Sequence, residues 1–264
     1  MVLSERNPPA LFGVGLIDAL PEAVLLAAEK QGFPEFPEIR GHVNRLKGGR
    51  IGRLGWKAET PDLREFVLSA CANELGLEVP GHHQAASPLD PDAKAKGLDL
   101  TAEGCDALVA YVRHLPAPTG SRPAETRESQ ANARGRSLFE AAGCATCHRP
   151  RLGEVDGIYS DLLLHDMGPA LSDSGSYYGI AEPDSSTGGV KRQEWRTPPL
   201  WGFRDSGPYL HDGRARDLEE AVAFHGGEAA NSARRFFKLV PEERLRVQAF
   251  LRSLAPPAGT APTG

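Results

Sequence analysis

The pentapeptide Cys144-Ala145-Thr146-Cys147-His148 constrains this chain more than any other feature. Two cysteines three positions apart on a helical turn can both reach the vinyl groups of one porphyrin as thioethers. The histidine that follows is placed to ligate the iron from one face. Two other uses of a CxxC pair fit less well. A four-ligand zinc site needs a second CxxC or a histidine pair, whereas Cys71 and Cys105 each stand alone. A thioredoxin-like dithiol belongs at a strand-to-helix turn, and no strand pattern precedes Gly143. The motif therefore implies one covalent haem c held by Cys144, Cys147 and His148, and with it electron transfer or other haem-based redox chemistry.

At 264 residues, 40% hydrophobic and 25% charged, the chain can bury a real core without disulfides. No apolar run is long enough to cross a bilayer. A net charge of -5 with scattered arginines argues against a nucleic-acid partner, which needs a concentrated basic face. The first ten residues, MVLSERNPPA, lack the apolar stretch of a secretory signal. Because haem attachment at CxxCH sites is extracytoplasmic, a periplasmic location is expected, with export provided by a leader or a longer precursor.

Helical patterning dominates and two-residue alternation is almost absent, so an all-α fold with long loops is expected; 29 glycines and 22 prolines supply the loops. Thr60-Pro61-Asp62 starts a helix carrying Leu63, Phe66, Val67, Ala70 and Cys71, closed by Gly76. A second starts near Thr101, with Cys105, Leu108, Val109, Val112 and Leu115 on one stripe. Residues 135–142 form a short helix into the motif, and Pro241-Glu242-Glu243 starts the last, carrying Leu245, Phe250, Leu251 and Leu254. This divides the chain into a helical region (1–115), a linker (116–133), a cytochrome c domain (134–254) and a disordered tail (255–264). Gly135 and Phe139 are expected to pack against Phe250 and Leu251.

Four residues could supply the second axial ligand: His225, Met167, His211 and His165. His225 ends a well-marked helix capped by Asp217, with Glu220 completing a capping box and Gly226-Gly227 ending it. His211 could instead bond a propionate or a carbonyl, and His165 could be a surface residue. Arg196, Arg204, Arg214 and Arg216 could neutralise propionates. Cys71 and Cys105 could pair or remain separate buried thiols.

Several longer stretches carry a resemblance: Leu11 to Ala19, Gly55-Trp56-Lys57-Ala58, Tyr159 to Met167, Glu194 to Trp201, and Tyr209 to Ala215. Over residues 11–254 the chain resembles the C-terminal portion of the bacterial di-haem oxidoreductases often labelled thiol oxidoreductases. That family is related to the di-haem cytochrome c peroxidases and MauG. The resemblance implies a cytochrome c-like domain carrying the electron-transfer haem, with the reactive haem's CxxCH upstream of residue 11. It places His225 at the position of the family's variable distal ligand, ahead of Met167, and so implies bis-histidine iron. Gly168-Pro169-Ala170-Leu171 resembles the GPxL segment whose proline carbonyl accepts the proximal histidine's hydrogen bond. Trp56 resembles a tryptophan between the haems, and Glu74 a distal carboxylate of peroxide chemistry, partly buried with a raised pKa. The implied partner is a redox protein or the second haem domain. A peroxidase-like enzyme acting on peroxide or a small substrate is the alternative to pure electron transfer.

Overall fold

The computed structural model describes residues 6–85, 90, 92, 94–118, 127–173 and 189–257. Four helices precede the CxxCH motif in the first half: α1 (Val14–Asp18), α2 (Glu22–Glu29), α3 (Leu63–Asn73) and α4 (Ala102–Arg113). Local chemistry sets their ends. Asp62, rather than Thr60, is the N-cap of α3, its carboxylate accepting the Glu65 amide at 2.9 Å. Gly76, at φ +67°, follows the helix in the left-handed conformation that favours glycine. Thr101 caps α4 through its hydroxyl, which accepts the Gly104 amide at 3.2 Å. Cys105, Val109 and Val112 of α4 and Leu63, Val67, Leu68 and Cys71 of α3 are buried together. Cys71 and Cys105 are both free thiols; burial and the neighbouring Cys105 push the Cys71 thiol up.

The first core does not stop at residue 115. Leu152, Val155, Ile158, Leu162, Leu163 and Trp201 from beyond the motif belong to it as well. The segment expected to be a linker is also partly regular, because α5 (Arg127–Ala141) begins within it; residues 119–126 lie outside the described residues. Of the expected disordered tail, 258–264 lie outside them too.

The all-α expectation needs correction, because three two-stranded antiparallel ribbons accompany the helices. They are β1 (Asn44–Arg45) with β2 (Ile51–Gly52), β3 (Arg151–Leu152) with β4 (Val155–Asp156), and β5 (Leu164–Asp166) with β6 (Glu194–Arg196). Strands of two or three residues are too short to show a period of two. In the third ribbon His165 faces Trp195 across segments far apart in sequence, a pairing that no local pattern announces.

After the ribbons come α6 (Leu218–Ala223), α7 (Ala230–Lys238) and α8 (Pro241–Arg252). Asp217 caps α6 by accepting the Glu220 amide at 2.9 Å. Glu220 closes no capping box; it accepts the Arg216 amide and guanidinium instead. In α8 the buried residues are Val247, Phe250 and Leu251; Leu245 is exposed and Leu254 lies past the helix end.

The α5/α8 crossing is the main helix contact and builds the second core, with Leu138, Phe139 and Ala142 against Val247, Phe250 and Leu251. Gly135 makes the approach possible. A Cβ there would collide with the Arg246 carbonyl oxygen and lie 2.8 Å from the Phe250 Cβ. Gly135→Ala is therefore expected to cost about 1–3 kcal/mol by overpacking, read from urea denaturation. Gly104→Ala is the control: its Cβ would meet only the Thr101 hydroxyl at 3.6 Å, so it is expected to gain about 0.5–1 kcal/mol from helix propensity.

Candidate haem site

The motif emerges from α5 through Gly143, at φ +90°, where a Cβ would strike the Phe36 ring. A 3-10 turn, Cys144–Thr146, follows, and the His148 amide donates to the Cys144 carbonyl at 3.0 Å. His148 Nδ1 donates to the Tyr159 carbonyl at 3.0 Å. Tyr159 sits at φ +48°, a left-handed conformation that costs a non-glycine residue about 1–2 kcal/mol. Its ring holds it there, packing edge-on against Phe139 and Phe250, with centroids 6.4 and 5.5 Å away. The helix crossing thus fixes the carbonyl that orients the histidine.

His225 is arranged the same way. It lies just past α6, and its Nδ1 donates to the Ala221 carbonyl at 2.7 Å. Each imidazole therefore has Nδ1 committed as a donor and Nε2 left as a bare acceptor, the tautomer that binds iron. Burial, with His225 close by, pushes His148 down to about 4; burial also lowers His225. Both are neutral at pH 7 and line one cavity with Cys144 and Cys147. Burial holds the Cys144 thiol protonated, pushed up to about 12.

The cavity walls fit a flat apolar group with polar edges. Phe139, Leu171, Trp195, Leu218, Ala221 and Leu251 line it, and Ser232 and Arg196 are among the polar side chains that join them. The Ser232 hydroxyl is buried with no hydrogen-bond partner among the described residues, a costly state that a bound acceptor would relieve. Arg196 is buried, its Nε donating to the Gly55 carbonyl at 2.6 Å. These features suit a haem whose carboxylates need donors.

The other candidates separate clearly. Trp56 lines the cavity, with its indole N–H donating to the Asn7 carbonyl at 2.7 Å. Met167 lines it too, packed against the Trp56, Leu171 and Trp195 cluster. His211 stacks on Trp195 at 3.5 Å and meets Trp56 edge-on; burial lowers it to about 4. His165 is buried rather than a surface residue. Its Nδ1 meets Glu228 at 2.7 Å and its Nε2 meets Asp161 at 3.0 Å, so neither nitrogen is open to iron.

Three expectations need correction. The Pro169 carbonyl accepts the Ser172 amide, and Tyr159 takes the role foreseen for it. Arg214 is exposed, paired with Asp212 and donating to the Ala170 carbonyl at 2.9 Å; it does not line the cavity. Glu74 is an exposed residue at the C-terminus of α3, also outside the cavity, although desolvation does raise its carboxyl pKa. Arg204 and Arg216 are exposed and paired with Asp205 and Glu220.

Sequence reasoning missed Tyr159, Ser232 and Lys57. Tyr159 works through its backbone, so its side chain carries no ligand signal. Lys57 places its ammonium 3.4 Å from the Trp195 ring centroid and donates to the Lys191 and Arg192 carbonyls; burial lowers it to about 7.

Comparison with known proteins gives the family. The family model for di-haem oxidoreductases matches residues 1–254. The chain belongs to the di-haem oxidoreductase family. It is similar to the methylamine utilization protein MauG of Methylorubrum extorquens, 36% identical over 128 residues, covering 46% of this chain and 33% of that protein. It is similar also to hydrazine synthase subunit gamma of Kuenenia stuttgartiensis, 28% identical over 156 residues, 50% of this chain and 44% of that one. Cytochrome c551 peroxidase of Nitrosomonas europaea is 26% identical over 227 residues, 75% of this chain and 60% of that protein. The chain thus spans a third to three fifths of these relatives' lengths. Among the described residues no helix is long and apolar enough to cross a membrane.

In this di-haem oxidoreductase the His165 network has a pH signature. Burial opposes the charge on His165, but the Cys147 sulfur at 3.8 Å and the Asp161 carboxylate outweigh it, raising the imidazole well above 6.5. After thioether formation the carboxylates alone remain. A base whose folded pKa is raised stabilises fully below the unfolded value, near 6.5, and loses that contribution as pH rises through the folded value. Glu228→Gln removes one carboxylate, so the loss is expected to start at lower pH. NMR titration of the His165 ring and urea midpoints over roughly pH 6–9 check this; an unmoved titration would mean that Glu228 does not hold the proton.

Proposed function

We propose that this chain forms the electron-transfer half of a di-haem oxidoreductase, with one haem c attached through Cys144 and Cys147 and ligated by His148 and His225. One observation carries the reading: two half-buried, neutral imidazoles line the same cavity, each with Nδ1 donated to a backbone carbonyl and Nε2 unused. When bound, the haem supplies a one-electron iron couple. The protein's part is to hold both ligands in one tautomer and orientation, so that little rearranges when charge changes. Apolar walls exclude water, and with His148 and His225 both committed to the iron the group would offer no open position to a substrate. Arg196 and Ser232 serve the propionates. Trp56, Trp195 and His211 form an aromatic cluster beside the cavity, suited to electronic contact with a second redox centre.

Peroxide turnover, the activity in the names of some relatives, falls in this reading to a second haem held outside these residues. Glu74, the carboxylate that would make this chain's own site peroxidatic, does not line the cavity. The setting is periplasmic, where haem c is attached, and the partner is a redox protein or the second haem domain.

A pyridine haemochrome assay on protein matured with an export leader is expected to count one haem. The oxidised spectrum should be low-spin, and the reduced protein should not bind carbon monoxide. His225→Ala is expected to convert it to high-spin and open carbon monoxide binding. An unchanged spectrum would pass the distal position to Met167 or His211, and carbon monoxide binding by the unaltered protein would refute the closed-site reading.

A further inference from the structure

His225 is a wall common to two hollows. On one side it lines the haem cavity. On the other it lines an open surface depression whose remaining walls are Ala223, Ala230, Ala233, Arg234, Phe237 and Lys238. The residue read above as the distal ligand thus reaches the protein surface there, and α7 supplies most of what surrounds it.

The helical repeat of α7 explains the arrangement. Ser232 and Phe236 turn inward and are buried, while Arg234, Phe237 and Lys238 turn outward. Phe237 is 42% exposed; further along the chain Val240 and Leu245 are exposed as well, at 54% and 62%. Arg234 and Lys238 stand four residues apart on this face, a like-charge spacing that weakens a helix. Among the described residues neither has an ion-pair partner. Arg235, beside them, lies over the Phe36 ring at 4.3 Å and 3.8 Å from Glu35. A chain of net charge -5 therefore keeps two unpaired cations around an exposed phenylalanine, at the point where a haem ligand meets solvent.

We propose that this α7 face is the docking site of an acidic one-electron carrier protein, which exchanges electrons with the haem through His225. The proposal rests on the reading of His225 as axial ligand. An apolar centre with a charged rim is the composition of a protein-binding patch. Electron-transfer encounters are small and brief, so one helix face with its depression is enough. Cations at the rim speed encounter with an acidic partner without making the complex tight. In each encounter the carrier loses one electron and the haem iron gains it, or the reverse, and no bond is made or broken.

The test uses the full haem-loaded chain and reduced flavodoxin as the acidic probe. Stopped-flow haem reduction is expected to slow as salt rises. The double substitution R234E/K238E is expected to lower the low-salt rate about ten-fold or more, leaving the absorption spectrum and reduction by a small neutral quinol unchanged. Phe237→Ala should lower the rate several-fold while keeping its salt dependence. Carbodiimide cross-linking gives a readout independent of the haem: an amide between Lys238 and a flavodoxin carboxylate is expected. Equal rates in R234E/K238E and the parent, or cross-links confined to other lysines, would overturn the proposal. So would cross-links from Lys238 to a second copy of this chain without flavodoxin, or co-sedimentation with anionic phospholipid vesicles that R234E/K238E abolishes. A protein without haem would sink the function proposed above, yet a Lys238 cross-link would still uphold the docking face.

Discussion

The hydrogen bond from His148 Nδ1 to the Tyr159 carbonyl is the contact on which the site depends. It selects the tautomer that leaves Nε2 for a metal, and it fixes the plane of the ring. Nothing in the motif supplies it. The acceptor is a backbone atom eleven residues on, in a left-handed conformation that only the packing of its own ring sustains. That packing rests in turn on Phe139 of α5 and Phe250 of α8, brought together because Gly135 carries no side chain. A single glycine and a ligand histidine are thereby linked through one aromatic cluster.

Charge is partitioned around the cavity with similar economy. Of the histidines that line it, His148 and His225 are kept neutral by burial. His165, close to Cys147, is instead held by Asp161 and Glu228, and both of its nitrogens are consumed. Glu228 also lies three residues after His225, so this ion pair ties the loop that follows the second candidate ligand to β5. Burial alone would have left His165 another neutral imidazole; two carboxylates make it a brace. Sequence treats these histidines alike, and their neighbours give them different chemistry.

Family membership adds a boundary to this picture. The chain covers a third to three fifths of the relatives compared, and it carries one CxxCH motif. The aromatic cluster of Trp56, Trp195 and His211 stands beside the cavity, and the α7 face lies on the other side of His225.

The CxxCH motif, the caps at Thr101 and Asp217, and His225 at a helix end were legible in the sequence, because each is a local pattern whose chemistry lies within a few residues. The short ribbons were not, since two or three residues cannot display a period and β5 pairs with β6 across a long separation. The sites of Pro169, Arg214 and Glu74 were misread for a related reason: residue type and family resemblance say what a side chain can do, not which surface it faces. The sequence by itself determined that Cys144, Cys147 and His148 stand together in a motif whose residue types suit a covalent haem. Only the tertiary structure decided which carbonyl orients His148, which histidine faces it, and which stays behind as a brace. Those choices depend on burial and on contacts between distant segments, which exist only once the chain has packed.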